Sequence, residues 1–318
     1  MLYQLYGLAI DIDNVLSEVP SIDDVQVDIQ IRRNTSLKRF RKPSNWFMHW
    51  HFPKGEPWLS FAKINNGYLL RFHQLADFFI NGEGNQITYT AENGVPEETI
   101  HHLLLDQVIP LVINLKGGQA LHVSAVLMPQ GVVAFAGPTG SGKSTLTGEL
   151  FNLGYRLVCD DCLALLVKYD ETFAMPAYPG LRLWEDALVY LFGNSRAYDS
   201  VAHYTDKRRV DIEQIPNSYS LEPKPLRRIY TIADASKNKN GTDVVIKKLS
   251  ARESFMALVR CAFRLDITDH RMLKRQFHFL ERMVSTVSVK LISFPRDFKF
   301  LPAIREAILN DLKDLDVQ

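Results

Sequence analysis

Gly137, Pro138, Thr139, Gly140, Ser141, Gly142, Lys143, Ser144 and Thr145 run consecutively and fit the spacing GxxxxGK(S/T), a P-loop. Glycines at these positions let backbone N–H groups close around phosphate oxygens. The lysine reaches the β- and γ-phosphates, and the serine hydroxyl reaches Mg²⁺. The implied ligand is a nucleoside triphosphate such as ATP, held with its metal. Residues 131–136 form a short apolar run suited to a buried strand feeding the loop. Residues 146–153 continue with helical spacing up to Gly154. The N-terminus of such a helix adds partial positive charge toward a bound anion.

A second feature is Asp160-Asp161, which begins 17 positions after Lys143. A helix of about ten residues and a returning strand can bring these carboxylates back beside the phosphates. One can then serve the metal and the other can accept the proton of an attacking hydroxyl. Acidic pairs also occur as turn or cap residues. Here, however, the pair lies between the apolar runs 157–159 and 162–167. Unpaired charge near a core costs on the order of several kcal/mol, so cations are expected close by. His122, in an apolar strand just upstream, is either a satisfied structural histidine or a group facing the transferred phosphate. Lys207, Arg208 and Arg209 either neutralise a phosphoryl group or form a solvated loop. Arg182 and Arg264, each in an apolar context, call for anionic partners. Cys159 and Cys162 have CxxC spacing but no second ligand pair, and are read as core packing. His101 and His102 lack acidic or thiol partners at metal-binding spacing.

The order His122, then GPTGSGKST, then GYRLVCDD resembles the catalytic core of the bacterial HPr kinase/phosphorylase family and, more distantly, phosphoenolpyruvate carboxykinase. The resemblance covers residues 120–168. It implies a P-loop kinase in which Lys143 and Ser144 hold phosphate and metal. Asp161 matches the family's proton acceptor, and Asp160 lies beside it; the carboxylate that serves the metal with Ser144 is read as Asp160. His122 matches the active-site histidine. The family's LEIRGxG segment, with its metal-binding glutamate, is absent. Residues 177–184 stand in its place, which counts against reverse phosphorolysis. The β-rich front, HYTDKRR and FPRDF are similar to HPr-kinase-like proteins of natural-product gene clusters, some of which phosphorylate a serine on a lasso-peptide precursor. The expected activity is therefore an ATP- and Mg²⁺-dependent serine kinase acting on a peptide or protein. The alternatives are a kinase for a small hydroxyl compound such as free serine, and a nucleotide-binding regulator without transfer activity.

The elements that must position these residues follow from pattern and bulk. The chain has 318 residues, 46% hydrophobic and 23% charged, with 37 Lys+Arg against 36 Asp+Glu and a net charge of +1. Nothing in this balance favours nucleic acid or an anionic membrane, and no apolar run is long enough to span a bilayer. The first ten residues lack the basic start of a signal peptide, so the cytoplasm is the expected location. The fold class expected is α/β. A P-loop domain of HPr-kinase/PEP-carboxykinase type, with a mixed sheet and a helical C-terminal part, is expected over 96–318. A β-rich module should precede it over 1–95. Strands are expected at 25–31, 58–64, 67–72, 76–80 and 86–90, with a hairpin turn at Asn65-Asn66. Residues 97–115 should form a helix broken near Pro110. Residues 120–127 should form one strand, residues 237–241 a turn, and the basic stretch 32–42 a solvated loop.

Overall fold

The computed structural model describes residues 1–34, 40, 43–52, 55–193, 198–212, 215–234 and 243–315. The expected turn at 237–241 and most of the basic stretch 32–42 lie outside them.

The N-terminal part is an eight-stranded sheet. Its spatial order is Leu2–Leu5, Leu8–Ile12, Ile29–Arg33, Gln86–Ala91, Ala76–Asn81, Gly67–Phe72, Pro57–Ile64 and Met48–His51. The hairpin between the sixth and seventh strands turns on Asn65 (φ 44°) and Asn66 (φ 56°). Both are left-handed, as a two-residue type I′ turn requires. The strand expected at 25–31 starts only at Ile29. The Asp28 carboxylate accepts the Ala9 N–H (2.9 Å), so a side chain supplies the bond that an earlier ladder rung would have made.

The sheet shares its core with the helical segment Glu97–Leu115. Ile10, Phe61, Phe78 and Tyr89 pack with Ile100, Leu104, Val108 and Val112. The break predicted there is a π turn over Leu104–Val108, with α-helix on either side. Pro110 sits in the first turn of the second helix, where a missing N–H costs little. The wider turn absorbs the change of register.

The second sheet is mixed and has nine strands. Its main path runs Arg156–Cys159, Val123–Met128, Gly131–Ala136, Lys224–Ile232, Glu171–Ala174, Leu163–Lys168 and Gln119–Leu121. Ser288–Ser293 pairs with Lys224–Ile232, and Val245–Lys248 pairs with Ser288–Ser293. Gly131–Ala136 lies in the middle and is apolar on both faces. Val132, Ala134 and Ala136 pack toward helices Ala251–Cys261 and His270–Thr286. Val133 and Phe135 pack toward helices Lys143–Asn152 and Leu301–Leu312. A strand buried on both faces reads as an unbroken apolar run, as this one does. The architecture is thus mixed α/β, with a further three-stranded sheet of Gly180–Leu183, Arg208–Asp211 and Asp199–Ser200. No described helix is long and apolar enough to cross a membrane.

The single strand expected at 120–127 is two. Gln119–Leu121 pairs with Leu163–Lys168, whereas Val123–Met128 pairs with Gly131–Ala136 and Arg156–Cys159. The break falls on His122, whose N–H donates to the Cys261 carbonyl (2.6 Å) instead of to a ladder. The partner chain changes sides at the same level, between Cys159 and Leu163. His122 and Asp160-Asp161 therefore meet at one corner of the sheet.

Candidate functional site

Gly131–Ala136 delivers the glycine-rich loop. Gly140 (φ 74°) and Gly142 (φ 96°) are left-handed, a conformation that costs another L-residue about 1–2 kcal/mol. Gly142 is also the N-cap of the helix Lys143–Asn152, so the loop N–H groups and the helix N-terminus share one concavity. Thr139 to Thr145 line a cavity of about 840 Å³, together with His122, Asp161 and Lys207.

Lys143 folds back over the loop. Its Nζ donates to the carbonyls of Gly137 (3.0 Å) and Pro138 (3.3 Å) and lies 3.2 Å from His122 Nε2. On its other side, His122 Nδ1 lies 2.9 Å from the Asp161 carbonyl. A carbonyl only accepts, so Nδ1 carries the proton and Nε2 presents its lone pair to the lysine. Burial, then the Lys143 charge, holds the imidazole pKa below its ordinary value. The ring is neutral at pH 7. Burial also lowers the Lys143 pKa, against the pull of Asp161 and Asp160.

The two aspartates differ sharply. Asp160 Oδ1 accepts from Ser144 Oγ (2.8 Å) and Ser124 Oγ, and its Oδ2 accepts the Arg182 N–H (2.8 Å). Burial and the neighbouring Asp161 charge raise its pKa. Asp161 is left-handed (φ 67°), and its Oδ2 accepts from Lys207 Nζ (3.3 Å). Burial opposes its charge, but Lys207, His122, Arg182 and Lys143 together outweigh burial and hold its carboxyl well below the usual range. Lys207 mirrors this: burial disfavours its charge, Asp161 and Asp160 overcome that, and its pKa rises.

Ser144 and Asp160 form a serine–carboxylate pair of hard oxygen donors. Such a pair suits Mg²⁺, which takes one or two protein oxygens and completes its shell with phosphate and water. Among the described residues no group of three or more His, Cys, Asp or Glu forms a metal cluster.

No family model matches the chain, and no curated protein matches it. Among solved structures, the Hpr(Ser) kinase/phosphatase from Coxiella burnetii aligns over 62% of this chain and 99% of that chain. The sequence identity is 13% and the TM-score 0.34.

Of the residues singled out by sequence, Lys143, Ser144, His122, Asp160, Asp161 and Lys207 come together. Arg208 does not: it is exposed on its strand and does not line the cavity. Arg264 does not line it either. Gly137 and Pro138 contribute carbonyls to Lys143 rather than cavity wall. Arg182 is more central than its sequence context indicated. It is 1% exposed, and its guanidinium pairs with Asp106 (2.9 Å) and Glu18 (3.2 Å) over the ring of Tyr178. Asp106 also accepts from Tyr178 and pairs with His102 (2.8 Å), while Glu18 pairs with Arg209 (2.8 Å). Sequence signals that an arginine among Leu181, Leu183 and Trp184 needs anions. It does not signal that one of them is Glu18, 164 positions away.

Two walls of the cavity escaped sequence reasoning. Phe294, Pro295, Arg296 and Phe298 form one, with Arg296 Nη1 donating to the Gly140 carbonyl (2.8 Å). The FPRDF string was the available signal. His51, Phe52 and Trp58 of the N-terminal sheet reach the other, and nothing in their local pattern marks them. Cys159, Cys162 and Cys261 are buried free thiols, and burial pushes the first two far above their ordinary pKa.

Proposed function

We propose that this protein is an ATP- and Mg²⁺-dependent phosphotransferase acting on a hydroxyl, with the serine of a peptide or protein as acceptor. The carrying observation is that Lys143, Ser144, Asp160 and Asp161 converge at a single corner, with Ser144 bonded to Asp160 and Lys207 to Asp161. The glycine-rich loop would hold the triphosphate through its N–H groups and Lys143. Ser144 and Asp160 would hold Mg²⁺, which when bound supplies positive charge against the phosphate oxygens.

In the transfer step the acceptor oxygen forms a bond to the γ-phosphorus as the bond to the bridging oxygen breaks, releasing ADP. The hydroxyl proton passes to Asp161. In the structure that carboxylate is a weak base, because Lys207 and its neighbours stabilise its anionic form. Movement of Lys207 toward the γ-phosphate would leave the carboxylate freer to accept a proton and add a cation where transferred charge gathers. Neutral His122 holds the ammonium of Lys143 through Nε2 and positions it without adding charge. Serine as the acceptor rests on the sequence resemblance, and the replacement of LEIRGxG by residues 177–184 favours the forward direction alone.

The test is phosphate transfer from labelled ATP by the purified protein and its Asp161→Asn variant. The variant should bind ATP within about twofold of wild type and lose at least about 100-fold in transfer rate, the usual contribution of a general base. Wild-type turnover by the variant would remove Asp161 from the mechanism. A kinase of small hydroxyl compounds would instead transfer to free serine and leave peptides untouched.

A further inference from the structure

We infer that the strand Met48–His51 at the edge of the N-terminal sheet is the docking site of the acceptor, and that the acceptor is an extended peptide segment that adds to it as a further strand. The inference rests on the phosphotransferase reading and names the substrate class for it.

Met48–His51 is the last strand of its sheet, and among the described residues none pairs with its outer edge. The orientation of its free groups follows from its neighbour. In Pro57–Ile64 the Trp58 carbonyl accepts the His73 N–H, so Trp58 and Ser60 point toward Gly67–Phe72. By alternation, Leu59 and Phe61 point toward the edge strand, where their register partners are Trp50 and Met48. The N–H and C=O of His49 are therefore directed outward, available to an added chain. Sheet edges are ordinarily blunted by lysine, proline or inward charge. The segment Met48-His49-Trp50-His51 has none of these.

The edge leads to the chemistry. Its register shifts between Trp50 and His51, a bulge that re-aims the chain, and His51 and the following Phe52 line the same cavity as Lys143 and Asp161. Aromatic contacts continue inward to the segment that carries Lys207. Phe52 packs on Trp58 (4.9 Å) and Trp58 on Tyr204 (5.0 Å), and three residues later Lys207 holds Asp161. A peptide laid along the edge would thus be directed at the proton acceptor. Main-chain bonds supply its affinity. Its alternate side chains fall beside Met48 and Trp50, which pack toward the core, so apolar residues are preferred at every second position. A second copy of this chain could pair with the same edge, but that would leave the adjoining cavity wall of His51 and Phe52 without a role.

The experiment uses the full-length protein with Mg²⁺ and labelled ATP, and three acceptors: free L-serine, a library of twelve-residue peptides with one central serine, and the same library N-methylated at alternate residues flanking that serine. The plain library should be phosphorylated. N-methylation should lower kcat/KM about tenfold for each edge bond removed. His49→Pro, which deletes the outward N–H, should reproduce the loss. Thermal melting and ATP binding report whether His49→Pro is folded, and the N-methylated library tests the same bonds without any variant. Equal rates for plain and N-methylated peptides, or a folded His49→Pro with wild-type rates, overturn the docking site and leave the kinase reading intact. Phosphorylation of free serine alone overturns it too, as does a dimer whose formation blocks peptide transfer. Transfer to no acceptor overturns both readings.

Discussion

Replacing Arg182 with methionine tests whether the buried ion network holds the candidate metal carboxylate in place. The side chain of Arg182 is enclosed, with Asp106 at 2.9 Å and Glu18 at 3.2 Å, while its main-chain N–H donates to Asp160 at 2.8 Å. Methionine keeps the N–H and much of the volume, so only the anchoring charge is lost. Breaking a buried pair from one side costs about 3–5 kcal/mol. The low end, about 3 kcal/mol, applies here because Asp106 keeps His102 and Tyr178, and Glu18 keeps Arg209. For a chain of this length that lowers Tm by about 5 °C. If Asp160 holds Mg²⁺ as proposed, loosening the group that orients it should also raise the Mg²⁺ concentration for half-maximal transfer, by about tenfold. Thermal and urea unfolding of Arg182→Met, Glu18→Gln and the double variant give the stability part, and a Mg²⁺ titration of the transfer rate gives the other. The double variant should be less destabilised than the sum of the singles by about 1 kcal/mol or more. Strict additivity, or an Arg182→Met protein within about 0.5 kcal/mol of wild type, would refute the argument.

Lys207→Met removes a cation that helps keep Asp161 ionised. The acid limb of the pH–rate profile should move to higher pH, and the maximal rate should fall about 100-fold if Lys207 also meets the transferred phosphate; an unmoved limb would dissociate the two residues. His122 and His101 both have pKa values lowered chiefly by burial. Between those lowered values and about 6.5 the unfolded chain binds more protons than the folded one. Stability therefore rises with pH through this window and levels off above it. His122→Asn should flatten part of that slope in urea titrations run from pH 5 to 8, and an unchanged slope would mean that His122 is not buried neutral.

Much of the candidate site's geometry was legible because its residues are close in sequence or obey strong local rules. The glycine-rich loop announces itself through spacing that only glycine φ angles satisfy. The acidic doublet stood out because charge between two apolar runs demands cations, and Lys207 is one of them. The hairpin at Asn65-Asn66 was readable for the same local reason. What was not legible depends on distant pairing. Residues 120–127 look like one strand because both halves are apolar; only the change of partner at His122 divides them. The same holds for Arg182, whose context reveals a need for anions but not that Glu18 and Asp106 meet it. Arg208 was a fair candidate by charge, yet strand alternation turns it outward while Lys207 and Arg209 find carboxylates. The strand expected at 25–31 begins only at Ile29, where the Asp28 carboxylate takes the Ala9 N–H, a detail that periodicity does not encode.

Cys159 and Cys162 bracket the two aspartates, and both thiols are sealed in the interior and strongly protonated. Alkylating reagents attack only the thiolate. The corner of the sheet must therefore breathe open before either sulfur can be modified. The chain thus carries its own reporter for that motion: the rate at which these sulfurs are consumed tracks how readily the region around Asp160 and Asp161 comes apart.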